Sequence, residues 1–308
     1  MNVDAIRAKA QAWTQAPYDV ETRNAVQRML DDADTTPLLE AFHQDLAFGT
    51  GGMRGIMGPG TNRMNAAVVA VATQGLADYI AVHHPGDKAV AIAHDSRHDS
   101  DTYTQVAAEV LAGNGIVAYV FEGLRPTPEL SFAIRQLGCQ AGIVITASHN
   151  PKEYNGYKVY WGDGGQIVPP HDKGIITCVR AVKGLEAVKR ADAADARIVT
   201  IGPEIDRAYY DTIAAHRLDH ELITEGSDLS VVYSPLHGTG TVSMAPALEA
   251  CGFRNIEVLA AQADPDGAFP TVESPNPEEA SALRMALDRA EEVGAELVLA
   301  TDPDSDRV

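Results

Sequence analysis

Ser148 stands in Thr146-Ala147-Ser148-His149-Asn150-Pro151, directly after the apolar run Ala141-Gly142-Ile143-Val144-Ile145. That run reads as a buried strand, and a serine in the loop beyond its carboxyl end sits where open α/β sheets put their ligands. A second apolar run, Glu296-Leu297-Val298-Leu299-Ala300, empties into Thr301-Asp302-Pro303-Asp304-Ser305-Asp306-Arg307. One strand end offers a nucleophilic hydroxyl. The other offers the carboxylates of Asp302, Asp304 and Asp306 and the Arg307 cation. The chemistry these types can do together is metal-assisted phosphoryl transfer through a phosphoserine.

A free serine hydroxyl is a weak nucleophile and needs a base, a metal or an unusual loop. No G-x-S-x-G elbow surrounds Ser148, which argues against a serine hydrolase, and a strand-end serine alone serves as well as a turn or helix-cap residue. Its neighbours enlarge the possibilities. His149 and Asn150 can hydrogen-bond the loop, Pro151 stiffens it, and Lys158 follows shortly beyond Tyr154-Asn155-Gly156. Among phosphates a lysine can carry a proton or act as a counter-charge; elsewhere it is a solvated strand residue.

The three aspartates alternate. In an extended segment, positions i, i+2 and i+4 face one side, so their carboxylates converge, which is costly without a cation. Oxygen-only ligation with room for a phosphate oxygen suits Mg²⁺. The spacing also resembles half of a calcium EF-hand loop, but Arg307 stands where that loop needs glycine, and a strand precedes it. A surface acidic turn is the plainer alternative. Upstream, Phe48-Gly49-Thr50-Gly51-Gly52-Met53-Arg54-Gly55-Ile56-Met57-Gly58-Pro59-Gly60-Thr61-Asn62-Arg63 fits neither the P-loop nor the dinucleotide pattern. Its glycines still let backbone N–H groups approach a phosphate, with Arg54 as a bidentate clamp. Arg97, in His94-Asp95-Ser96-Arg97 after another strand, either reaches the same crevice or pairs with Asp95 to hold its loop.

The elements that must position these groups follow from the patterning. Residues 3 to 45 show helical spacing, and a helix is expected from Asn65 to about His83. Strands then alternate with helices: Ala89 to Ala93, a helix near 102–112, Val117 to Phe121, a helix near 128–136, and Gly142 to Ile145. That alternation predicts an α/β fold, three layers α/β/α with a mostly parallel, mixed sheet. A short strand at Tyr157 to Tyr160 and a helix from about His171 to Lys189 lead to a plausible linker, Ala191 to Ala196. A second α/β unit begins near residue 200, with strands at Leu229 to Tyr233, Ile256 to Ala260 and Glu296 to Ala300. The expected domains are 1–200, with a complete sheet, and 201–308, with a sheet cut short.

Composition narrows the class. With 308 residues, 45% hydrophobic and 22% charged, the chain reads as globular with room for two cores. A formal charge of −19 argues against nucleic acid as a partner. Cys139, Cys178 and Cys251 are far apart in no C-x-x-C arrangement, which fits reduced thiols. No signal peptide or run of about 18 apolar residues is apparent. A cytoplasmic protein is expected, with neither membrane nor nucleic acid as a partner; oligomeric state is open.

The motifs T-A-S-H-N-P with Y-N-G-Y-K, D-P-D-S-D-R after a strand, and F-G-T-G-G-M-R-G near the start occur in one order that resembles the α-D-phosphohexomutase superfamily, in its bacterial phosphoglucomutase/phosphomannomutase group. Gly58 to Asn65, G-P-G-T-N-R-M-N, resembles the branch containing phosphopentomutase-active members. The resemblance runs from about residue 40 to the end. It implies four α/β domains around a cleft, of which this chain would hold the first two. It also implies a phosphoserine at Ser148, and Mg²⁺ on Asp302, Asp304, Asp306 and a serine phosphate oxygen. Lys158 would be the general acid/base, with His149, Arg54 and Arg307 lining the transfer centre. Arg54, Arg63, Arg97 and Asn150 are the candidate phosphate-binding residues. The implied reaction interconverts sugar 1- and 6-phosphates through glucose 1,6-bisphosphate or its analogue, a small-molecule phosphosugar being the partner. Lacking the sugar-recognition and phosphate-binding loops of the third and fourth domains, the isolated chain is expected to turn over little. A Mg²⁺-dependent phosphatase and a non-catalytic sugar-phosphate-binding protein are the alternatives.

Overall fold

The computed structural model describes residues 3–308. Helices Val3–Gln11, Val20–Asp31 and Thr36–Phe42 form a small cap with its own apolar centre of Trp13, Val26, Leu38 and Phe42. Six strands then build one sheet: β1 (Gly52–Ile56), β2 (Ala89–His94), β3 (Val117–Phe121), β4 (Ala141–Ile145), β5 (Tyr154–Trp161) and β6 (Ile198–Ile201). Their order is β1-β5-β4-β2-β3-β6. The strands β4, β2, β3 and β6 run parallel, and β5 is antiparallel to both β4 and β1. Every residue of β4 is buried, as its uninterrupted apolar run requires of a central strand covered on both faces.

The alternation of side chains along each strand separates two cores. Ile143, Ile145, Tyr157 and Val159 face helices Ala66–His83, Ser100–Gly113 and His171–Ala181. Val144 and Tyr160 face the opposite layer, helix Thr127–Gln136. Lys158 lies between Tyr157 and Val159 in sequence, so it projects with Val144 to this second face. That face also meets the rest of the chain. Helix Pro203–Ala215 follows β6 and packs between helices Thr127–Gln136 and Gly240–Cys251. A parallel three-stranded sheet follows, order β8-β7-β9, from β7 (Val231–Ser234), β8 (Ile256–Val258) and β9 (Leu297–Ala300). Helix Ala280–Val293 covers it through Ala286 and Ala290, against Val232 and Leu259.

Three sequence readings need correction. Gly52–Ile56, taken as loop, is an edge strand: Gly52, whose φ is 141°, lies so close to Tyr157 that a Cβ would collide with its carbonyl oxygen. Ile198–Ile201, overlooked beyond the supposed linker, pairs with β3 and completes the first sheet. Helix Ala66–His83, with 18 residues and mean hydropathy 1.3, has the length and composition to span a membrane, contrary to expectation. Its apolar character has another cause in this fold. It is 56% buried within the structure, and its Gln74 and Thr73 bond to Asn114 and Tyr157.

Candidate active site

The loops beyond β2, β4 and β9 converge, as strand carboxyl ends do in open α/β sheets. Ser148 follows β4 in left-handed backbone, φ 54°, an unusual conformation for a serine that must be held by its surroundings. The hold comes from two sides. Its N–H donates to Thr146 Oγ1 at 2.8 Å. From beneath, the Arg97 guanidinium donates to the carbonyls of Ser148 (2.7 Å), Asn150 (2.5 Å), Pro151 (2.9 Å) and Tyr154 (2.9 Å).

Arg97 is therefore a correction to the set of phosphate-binding candidates. Its side chain is fully buried, its Nε lies 3.2 Å from Asp95 Oδ2, and the Phe269 ring covers it with its centre 5.0 Å away. Asp95 is fixed in turn by the Arg97 N–H and the Ser100 hydroxyl. Burial pushes the Asp95 carboxyl up and the Arg97 guanidinium down against their mutual attraction. A guanidinium stays charged under such a shift, and its planar fork of donors matches a ring of carbonyls as no lysine could.

The hydroxyl of Ser148 donates to Asp302 Oδ2 at 2.7 Å, joining positions 154 residues apart. With its single hydrogen so directed, the oxygen accepts from His149 Nδ1 at 3.2 Å, which assigns the proton to that ring nitrogen. Burial, then Arg307 and Arg54, hold the imidazole below its ordinary value, so it is neutral at pH 7.

Asp302, Asp304 and Asp306 do converge, with one oxygen of each within 4.8 Å of the others. Extended alternation is not the cause. The chain turns tightly, with Ser305 at φ 52° and its N–H on the Asp302 carbonyl, and Asp302 Oδ1 accepts the Asp306 and Arg307 N–H groups at 3.2 Å each. Lys158 Nζ enters this cluster, 2.7 Å from Asp304 Oδ2 and 3.3 Å from Asp306 Oδ2. Burial disfavours its charge, but the two aspartates outweigh burial and raise its pKa. Burial and then Asp304 push Asp302 up, whereas Lys158 overcomes burial to hold Asp304 down. Asp304 Oδ1 is buried and has no hydrogen-bond partner among the described residues. An orphaned carboxylate oxygen beside two further carboxylates fits a hard divalent cation.

The remaining candidates divide. Arg54, exposed on β1, donates to Asn150 Oδ1 at 2.6 Å and so flanks the serine loop. Arg307 extends past the cluster to Glu278 at 3.4 Å. Arg63 pairs instead with Glu40 of the helical cap at 3.1 Å. The sequence reading missed Thr127, which bonds Asp304, and Phe269, which covers Arg97. Thr127 was legible in part, since Arg125-Pro126-Thr127-Pro128 follows a strand end just as the other site loops do.

This geometry can be set beside known proteins. The phosphoglucomutase/phosphomannomutase alpha/beta/alpha domain I matches residues 45–185, and domain II of the same family matches residues 207–308. The chain belongs to the phosphoglucomutase/phosphomannomutase family. It is 39% identical over 96% of its length to a probable phosphoribomutase of Schizosaccharomyces pombe, covering 51% of that protein. It is 38% identical over 80% of its length to a probable phosphomannomutase of Haemophilus influenzae, covering 50% of it. A putative phosphomannomutase of Thermus thermophilus superposes with a TM-score of 0.72 at 26% identity, over 86% of this chain and 56% of that one. The chain thus spans about half the length of these phosphomutase relatives.

Proposed function

We propose that this chain carries the phosphoryl-transfer centre of a Mg²⁺-dependent phosphosugar mutase, which interconverts the 1- and 6-phosphates of glucose or mannose through a phosphoserine at Ser148. The observation that carries this reading is the 2.7 Å bond from Ser148 Oγ to Asp302 within the aspartate cluster. It brings the nucleophile and the candidate metal ligands together from positions 154 residues apart.

In the reaction, the phosphorus–Oγ bond of phosphoserine breaks as a bond forms to a sugar hydroxyl, whose proton passes to Lys158 acting as base in its neutral form. The resulting sugar bisphosphate, glucose 1,6-bisphosphate for glucose, then returns its other phosphoryl group to the serine. Asp302, Asp304, Asp306 and the Ser148 oxygen would hold Mg²⁺, which when bound neutralises charge on the transferring group. Neutral His149 hydrogen-bonds the serine oxygen, and Arg54 and Arg307 supply positive charge at the rim. Lys158, held charged by Asp304 and Asp306, is set to donate a proton or hydrogen bond; serving as base requires those aspartates to be neutralised otherwise. The 39% identity to a probable phosphoribomutase favours a second reading, pentose 1- and 5-phosphates as substrates. Both readings take a small-molecule phosphosugar in a cytoplasmic protein, with two units meeting near residue 200.

The test is phosphosite mapping by mass spectrometry after incubation with Mg²⁺ and glucose 1,6-bisphosphate, or ribose 1,5-bisphosphate for the second reading. Phosphate on Ser148, absent from Ser148→Ala, is the expected result. A parent chain that stays unmodified with both donors, or is modified elsewhere, refutes the phosphoserine.

A further inference from the structure

Asp304 is held by a residue from the other unit. Thr127 opens helix Thr127–Gln136 and is buried at the junction of the two units, 4% exposed. Its N–H donates to the Asp304 backbone carbonyl at 2.9 Å, and its hydroxyl donates to Asp304 Oδ2 at 3.0 Å. Two bonds from one residue fix both the position of the aspartate loop and the rotation of the carboxylate. Oδ2 is tied toward the first unit, and Oδ1 is left without a hydrogen-bond partner, alongside Asp302 and Asp306.

We infer that Thr127 is the positioning residue that aims Asp304 Oδ1 at a divalent cation, so that binding at the cluster depends on the seating of the second unit against the first. This rests on the cation binding proposed above. Lys158 cannot do the job alone, because its ammonium sits among the same carboxylates and must yield when another cation enters. The Thr127 hydroxyl is neutral, touches Asp304 at the far oxygen and stays compatible with an occupied cluster. The first turn of a helix also favours an adjacent carboxylate in its charged form. Groups that orient metal ligands in this way typically contribute about 10- to 100-fold to metal affinity.

Mn²⁺ binding to the purified chain, read as loss of the free-ion electron paramagnetic resonance signal, tests the inference without relying on turnover. Thr127→Val keeps the shape and the backbone bond but removes the hydroxyl; about tenfold weaker Mn²⁺ binding is expected. Thr127→Ser restores the donor and should bind within about twofold of the parent. Equal affinity for Thr127→Val and the parent overturns the positioning role and leaves the cation site standing. Equal weakening by Val and Ser overturns it too, pointing to the methyl group. Failure of the parent to bind Mn²⁺ overturns the cation site itself. If circular dichroism shows Thr127→Val unfolded, Thr127→Cys, near in volume with a poor donor, is judged by the same tenfold criterion.

Discussion

Glu129 should be a protonated acid in the folded protein at neutral pH. Its side chain is fully buried, and neither carboxyl oxygen finds a hydrogen-bond donor among the described residues if it is charged. Its neighbours explain how it survives there. Arg125 reaches Asp206 with two bonds of 2.8 Å but comes no nearer to Glu129 than 3.9 Å. Burial first, and then the Asp206 carboxylate, push Glu129 up to about 9, while Arg125 outweighs burial to hold Asp206 down. Two adjacent carboxyl groups can bond only if one is protonated, so Glu129 is the acid and Asp206 the acceptor.

The sign follows by linkage. A folded-state value raised from about 4.5 to about 9 means that the contribution of Glu129 is fully present below about 4.5 and lost as pH rises through about 9. At about 1.4 kcal/mol per pH unit, the loss at pH 7 is on the order of 3 kcal/mol. Glu129→Gln keeps the shape, offers an N–H to Asp206 and does not titrate. Urea unfolding of both proteins at pH 5, 6, 7 and 8 should show the variant gaining roughly 3 kcal/mol on the parent between pH 6 and 8. Asp302, also pushed up by burial, is common to both proteins and cancels. Parallel stability curves across that range would show that Glu129 is ionised in the fold and refute the argument.

Removing the guanidinium under the serine loop, by Arg97→Met, leaves Asp95 buried without its partner; a loss of about 3–5 kcal/mol is expected in urea unfolding. Added Mg²⁺ at about 100 times its dissociation constant should stabilise the parent by about 2.7 kcal/mol, read as a raised unfolding midpoint, and the gain should vanish in Asp304→Ala.

How much of this could be read in advance depends on the range of the interaction. The strands β2 to β4 and the helices between them follow from apolar runs and periodicity, and each emerged within a few residues of its expected place. Ser148, Lys158 and the three aspartates were legible because their types and spacing are rare together. What the sequence concealed depends on contacts between distant segments. Gly52–Ile56 reads as a loop because its glycines carry no strand signal, yet they permit the close approach of β5 that makes it a strand. Arg97 and Arg54 look alike as loop or edge cations. Only the path of the chain decides that four carbonyls surround one while the other is exposed beside Asn150.

The same distinction explains the division of labour in the site. Groups suited to chemistry gather where the serine loop meets the aspartate loop: the Ser148 hydroxyl, neutral His149, Arg54 and the aspartates. Groups behind the serine loop, Arg97, Asp95 and Thr146, have their polar atoms turned inward and keep Ser148 in left-handed backbone. Phe269 of the second unit closes over Arg97, and Gly267 lies so near that a Cβ would come within 2.5 Å of the His98 nitrogen. The unit that brings the aspartates to Ser148 therefore also seals the support beneath it. A displacement of the second unit would both withdraw the carboxylates from the hydroxyl and open the Arg97 cradle to water. Serine geometry and aspartate placement should consequently be lost together when the two units separate, because the same contacts maintain both.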